Sequence, residues 1–185
     1  MSGDNERTGA IALRWWNGLT DPRRGDRGAR AQLRRCQTAL EALPIVQALA
    51  LARQLGKARQ NSAGLDDALG LAIVLAHVKE HDSANRLMQV AGWKTFPGEK
   101  KETESENRPL LSELRFRRLL QTMQDEKVDA FKRLVRILGG NVNIADLAES
   151  FLFWGDKVRQ RWAFEYFAAG QSAPFATQLA QGAEQ

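Results

Sequence analysis

The chain has 185 residues, 43% of them hydrophobic, with five tryptophans and eight phenylalanines. That is enough apolar material for one sizeable core or two small lobes, and it excludes disorder over most of the length. A net charge of +5 favours nucleic acid or an acidic partner, and a lone cysteine, Cys36, excludes an intramolecular disulfide.

Nearly every segment carries helical periodicity. Residues 6–18 predict a first helix that ends near Gly18. Gly18–Gly28 holds three glycines and a proline, so it reads as a loop carrying Arg23, Arg24 and Arg27 at its end. A basic helix follows to about Leu43, and Pro44 suits the first turn of the next, which runs to Gly56. Residues 57–64 are a polar connector containing Arg59. Asp66 or Asp67 can cap a helix through His81, and a shorter helix, Ser83–Val90, closes the first half. The longest strongly apolar stretch, Leu69–Val78, is too short to span a bilayer, and the first thirty residues contain no secretory pattern. The expected location is the cytoplasm, with no membrane partner.

Composition then shifts. Residues 92–107 (GWKTFPGEKKETESEN) are charged and include Pro97 and Gly98, as a linker or long loop would. Pro109 opens a helix through Met123, and a second runs Lys127–Leu138 until Gly139-Gly140 stops it. Asn143 caps a third, Ile144–Trp154, and Gly155-Asp156 starts a fourth to about Ala169. No period-two segment is long enough for a strand. The predicted class is all-α: a helical lobe at 1–91, a linker at 92–107 and a second helical lobe at 108–185.

One motif imitates an enzyme. His77-Val78-Lys79-Glu80-His81 matches the H-x-x-E-H pattern of inverted zinc peptidases, which needs both histidines on one helix face. The chain holds only these two histidines, and nothing marks a third ligand. Phosphate-binding loops, dinucleotide fingerprints and nucleophile elbows are missing, and Cys36 lies on an apolar helix face. The expectation is no catalytic residue, no metal and no cofactor.

The basic residues are more telling. Of 27, 19 are arginine, whose planar fork grips phosphate where lysine offers a point charge. From Arg23 to Arg35 six arginines meet one acid, Asp26. On a helix Arg27, Arg30 and Arg34 lie within about 60° of each other, flanked by Arg35, with Ala29, Leu33, Cys36 and Leu40 opposite. In the helix of 127–138, Lys132, Arg133 and Arg136 share a polar face with Asp129. In the helix of 109–123, Arg117 and Arg118 point away from the apolar side. Arg115 sits at its boundary, where a structural role is expected. The tryptophans lie among apolar residues and predict core packing rather than base stacking.

Taken in order, several segments give the chain a resemblance. They are Trp15-Trp16, then Gly28-Ala29-Arg30-Ala31-Gln32-Leu33-Arg34-Arg35, then Ser112–Leu120 (SELRFRRLL) and Phe131–Val135 (FKRLV). Last comes Trp154-Gly155-Asp156-Lys157-Val158-Arg159 with the trailing Trp162. The set resembles the CasB family, the small subunit of the type I-E CRISPR surveillance complex Cascade. The resemblance implies a helical, non-catalytic subunit that pairs with a second copy of itself. Its other implied partners are the repeated backbone subunits and the large PAM-reading subunit. It also implies basic surfaces turned to the guide RNA, the target DNA and the displaced strand, holding the R-loop open. The implied contacts are Arg24, Arg27, Arg30, Arg34 and Arg35, then Arg117, Arg118, Arg133 and Arg136, then Lys157, Arg159 and Arg161, with Arg59 a weaker candidate. The competing readings are a stand-alone helical DNA-binding regulator and a zinc peptidase using His77 and His81.

Overall fold

The apolar run at Leu69–Val78 becomes the centre of the molecule. In the computed structural model, which describes residues 2–56, 62–94 and 108–168, all of it but His77 and Val78 lies in helix α5 (Ser62–Ala76). Leu69, Leu71 and every residue from Ala72 to Ala76 are buried, as expected of a helix with no polar face. Before it come α1 (Ser2–Thr20), α2 (Arg27–Arg35), α3 (Ala39–Ala42) and α4 (Val46–Gly56). After it come α6 (Leu87–Ala91), α7 (Glu113–Leu120), α8 (Lys127–Ile137), α9 (Ile144–Leu152) and α10 (Asp156–Tyr166). The all-α expectation holds. Helices α2, α3 and α4 pack on α5 from the first half, and α8 and α9 from the second, while α1 lies along α9 and α4. Residues on both sides of the 92–107 stretch thus join one apolar cluster. Residues 95–107, and the tail after residue 168, lie outside the described residues.

Helix ends depart from simple periodicity in several places: α6 starts at Leu87 rather than Ser83, α7 spans Glu113–Leu120 rather than 109–123, and two further breaks have a clear local reason. The basic helix stops at Arg35 because Cys36 is extended (φ −63°, ψ 137°). Thr38 then caps α3 by accepting the Glu41 amide at 3.4 Å, and the Glu41 carboxylate accepts the Gln37 amide at 2.9 Å. This is a Thr-x-x-Glu capping pattern that restarts a helix in a new direction. Helix α5 stops at Ala76 rather than His81. The chain beyond it forms a two-residue strand, β1 (Glu80–His81), paired in parallel with β2 (Asn141–Val142). Gly139 and Gly140 make that pairing possible. Both take positive φ (70° and 87°), which costs glycine nothing, and the Gly140 carbonyl accepts the amides of Lys79 (2.8 Å) and Glu80 (3.2 Å).

Aromatic rings fill the second half. Phe131 packs edge-on against Phe151 and Trp154, and Trp154 against Trp162. Phe116 stacks on Tyr166 with centroids 3.9 Å apart. Trp15 and Trp16 are also buried, so core packing is what most of the tryptophans do.

The residues flanking 95–107 meet at α10. The Trp93 amide donates to the Tyr166 carbonyl (2.7 Å), the Leu111 amide to the Ala91 carbonyl (3.0 Å), and the Tyr166 hydroxyl to the Leu111 carbonyl (2.6 Å). Burial drives the Tyr166 hydroxyl pKa up to about 12. Gly92 sits inside this clasp, where a Cβ would run into the Tyr166 backbone. Backbone cannot step aside as a flexible side chain can. Gly92→Ala is therefore expected to destabilise the protein by about 1–3 kcal/mol, read as a lowered urea midpoint, whereas Gly56→Ala, at an open helix end, should not.

Candidate nucleic-acid interface

The basic residues divide into those the fold uses and those it leaves outward. Asp26, the one acid within the Arg23–Arg35 run, is not a counter-ion. Its Oδ1 accepts the Ala29 amide at 2.8 Å as the cap of α2, and its Oδ2 accepts the Gln47 side-chain amide at 3.0 Å. These bonds, the Ala29 one foremost, hold its pKa below the ordinary value.

Arg30 turns inward. Its Nε donates to the Ala76 carbonyl (3.1 Å) and its Nη2 to the Val78 carbonyl (2.6 Å). It therefore caps the carboxyl end of α5, whose last carbonyls have no helical partner. Two of its five donors are thereby committed within the fold. Arg161 is likewise committed, to the Ser150 hydroxyl (2.7 Å) and Asp146 (2.9 Å). Arg159 donates to the Thr122 carbonyl and to Asp156, each at 3.3 Å, and lies over the Trp154 ring. Of the three basic residues expected after Trp154-Gly155, only Lys157 is exposed.

Arg24, Arg27, Arg34, Arg35, Arg117, Arg118, Arg133 and Arg136 are exposed. Arg117 faces Glu113 at 3.9 Å, and Arg27 reaches the Pro22 carbonyl at 3.3 Å. Arg115 is exposed too, against the expectation that it would lie along apolar surface. Arg59 falls outside the described residues.

The exposed residues do not form one even coat. His77, the first residue past α5, gathers four cations around it: Arg34 and Arg30 from α2, Lys132 and Arg136 from α8. Lys132 makes the joint. It is buried, donating to the Cys36 carbonyl (3.5 Å), Gln37 (3.0 Å) and Asp129 (3.1 Å), and so ties α8 to the end of α2. Helical spacing alone places Lys132 on a solvated face. The charged end of a helix-interior lysine gives no hint of the carbonyl that another helix sets before it. Arg34, Arg35, Arg133 and Arg136 remain outside any ion pair with described residues. The result is an anion-seeking surface spanning two helices around the end of a third.

The zinc reading meets a different geometry. With α5 ending at Ala76, His77 lies in a tight turn and His81 in β1, not on one helix face. The His81 Nδ1 accepts the Ile144 amide at 3.2 Å. Among the described residues no group of three or more His, Cys, Asp or Glu is placed to hold a metal ion. Nor is any described helix long and apolar enough to cross a membrane.

Two measurements follow from this arrangement. Arg30→Ala should cost about 1–3 kcal/mol by stranding the α5 carbonyls, and Arg30→Lys should recover only part, since an ammonium lacks the fork. Urea unfolding reads both, and wild-type stability in Arg30→Ala would refute the capping role. His77 supplies the second. Burial first, then Arg34, Lys132, Arg136 and Arg30, lowers its pKa from 6.5 to about 4. Between those values the unfolded chain binds more protons, so stability is full above the unfolded value and is lost as pH falls toward the folded one. Discounting for half-exposure, wild type should lose about 1 kcal/mol more than His77→Gln between pH 7 and pH 5. Equal losses would refute it.

Comparison with known proteins bears on this geometry directly. The profile of the family described as CRISPR-associated protein Cse2 matches residues 29–167. No curated protein sequence matches the chain. Among solved structures, CasB from Thermus thermophilus is similar at 23% identity and a TM-score of 0.61, covering 86% of this chain and 97% of its own. A chain in the crystal structure of E. coli Cascade bound to a PAM-containing double-stranded DNA target is similar at 18% identity and a TM-score of 0.60, covering 85% and 94%. These structures share the fold, and the profile match takes in both basic helices and the aromatic second half: the chain belongs to the Cse2 family of CRISPR-associated proteins.

Proposed function

We propose that this chain is a non-catalytic small subunit of a Cascade-type CRISPR complex, and that its basic surface holds nucleic-acid backbone so that the R-loop stays open. The observation that carries this is the convergence of α2 and α8 at the end of α5, where Arg34 and Arg136 lie near His77 and Arg35 and Arg133 are exposed on or beside the same helices, none of the four in an ion pair with a described residue. A surface dominated by arginine forks suits phosphate oxygens rather than base edges. In such a complex base pairing reads the sequence, and the exchange of duplex for heteroduplex is nearly balanced in energy, so a few phosphate contacts tip it. Arg24, Arg27, Arg117, Arg118 and Lys157 are exposed as well and are further candidates for phosphate contact. Arg30, Arg159 and Arg161 act through the fold instead.

The partners we infer are guide RNA, target DNA, the displaced strand, a second copy, the repeated backbone subunits and the large PAM-reading subunit. Protein contacts of that kind need apolar surface, and the chain exposes Leu40 (75%) and Val46 (73%) beside Leu43.

Tagged protein purified from its native host should bring down a multi-subunit complex carrying short repeat-derived guide RNAs. A lone protein, free of RNA or bound to genomic DNA, would overturn the reading. Within an assembled complex, Arg34→Glu with Arg136→Glu should shorten the R-loop lifetime at least tenfold. The salt slope of DNA binding should fall by about 0.9 for each phosphate no longer held. An unchanged lifetime in a correctly assembled complex would remove the patch from the mechanism.

A further inference from the structure

Next to the patch lies a groove that backbone holding alone does not use. It measures about 390 Å³ and runs between the end of α1, the loop after it and the outer face of α2. Leu19, Thr20, Pro22 and Ala31 line it, with Arg27 and Arg34 also on its wall. The lining is almost all carbon. The Thr20 hydroxyl already donates to the Trp16 carbonyl (2.8 Å), and the Arg30 head, whose stem borders the groove, is turned to the α5 carbonyls. The arginine stems can lie along this apolar surface while the Arg27 and Arg34 heads stay in water at its edge, free to meet an anion.

We propose that this groove seats the base of one unpaired nucleotide, with the phosphates on either side of it held by Arg27 and Arg34. The inference rests on the nucleic-acid reading above and adds to it a selection for single strand. Charge complementarity and continuity choose the occupant: Arg34 belongs both to the groove and to the group of cations around His77, so a strand crossing the patch delivers a base to the slot. Arg27 and Arg34 are seven residues apart, about 10.5 Å along a helix, and two long side chains reach inward across that span to successive phosphates. The volume is at the lower end of small-ligand sites, which run from about 300 to 1,000 Å³. It suits one nucleotide. A lining without free donors or acceptors accepts the flat face of any base and reads no sequence. A duplex keeps its bases stacked inside and offers the groove nothing.

The test uses the full chain and three labelled probes of equal length: a thymidine strand of about ten nucleotides, an abasic strand with the same phosphates, and a duplex. The thymidine strand should bind about tenfold more tightly than the abasic one, the effect expected when roughly 50 Å² of base face leaves water for an apolar groove. Filling the groove with Ala31→Phe should abolish that difference while duplex affinity and salt slope stay as they were. Ala31 is exposed on α2, so the larger side chain meets no core, and Ala31→Leu serves as a second, milder filling. Equal binding of thymidine and abasic strands, with duplex binding kept, would overturn the groove and leave the phosphate reading standing. A base preference that survives both fillings would also overturn it. Failure to bind any of the three probes would overturn the groove and the nucleic-acid reading together.

Discussion

The carboxyl end of α5 is the constraint on which the surface of this protein depends. A helix ends in carbonyls without partners and in a partial negative charge, and here that end is brought against two basic helices. Arg30 takes the last carbonyl of α5 and that of Val78 just beyond it, β1 turns away to pair with β2, and Lys132 fastens α8 to the end of α2. Like charges on separate helices repel, and would splay the helices if nothing compensated. The carbonyls of α5 and of Cys36 supply the compensation. His77 shows the residual field: burial first, and then the four cations near it, lower its pKa to about 4.

Arginine serves two ends in this chain, and the difference is made by what stands opposite. Where a backbone carbonyl or a buried carboxylate lies within reach, as for Arg30 and Arg161, the guanidinium becomes a structural tie that locks helix to helix. Where the helix face is open, as for Arg34 and Arg136, the same side chain stays in water and keeps its donors for an incoming anion. The ties come first in the hierarchy, since without Arg30 the end of α5 would not hold the outward residues in register. A helix bundle can thus carry a concentrated charge without relying on counter-ions of its own.

Much of this is legible in the sequence, and the failures share a cause. The Leu69–Val78 run, the Gly139-Gly140 stop and the Asn143 cap all stand in the structure, because each rests on local backbone chemistry. The bend after Arg35 also has a local signal, the Thr38-x-x-Glu41 pair, which a strongly periodic pattern of leucines outweighs. The turn after Ala76 has none. His77 through His81 continues a helical pattern well enough, and only Gly140, far along the chain, draws those amides into a strand. Arg30, Lys132 and Arg161 look solvated in the sequence for the same reason: spacing on one helix reveals which way a side chain points, not which carbonyl another helix places in front of it. The family resemblance, carried by the ordered set of segments, survives these local errors because it rests on composition along the chain rather than on any single contact.

The clasp at α10 has a consequence for how the chain can vary. The Ala91–Leu111 and Trp93–Tyr166 bonds bring the departure and the return of the 95–107 stretch to one place on the surface. Closing a loop whose ends are already fixed costs little more when the loop lengthens, growing only with the logarithm of its length. The clasp itself rests on residues at the two anchors and not on the number of residues between them. The fold thus separates what its core requires, the two anchors, from the length of chain that joins them.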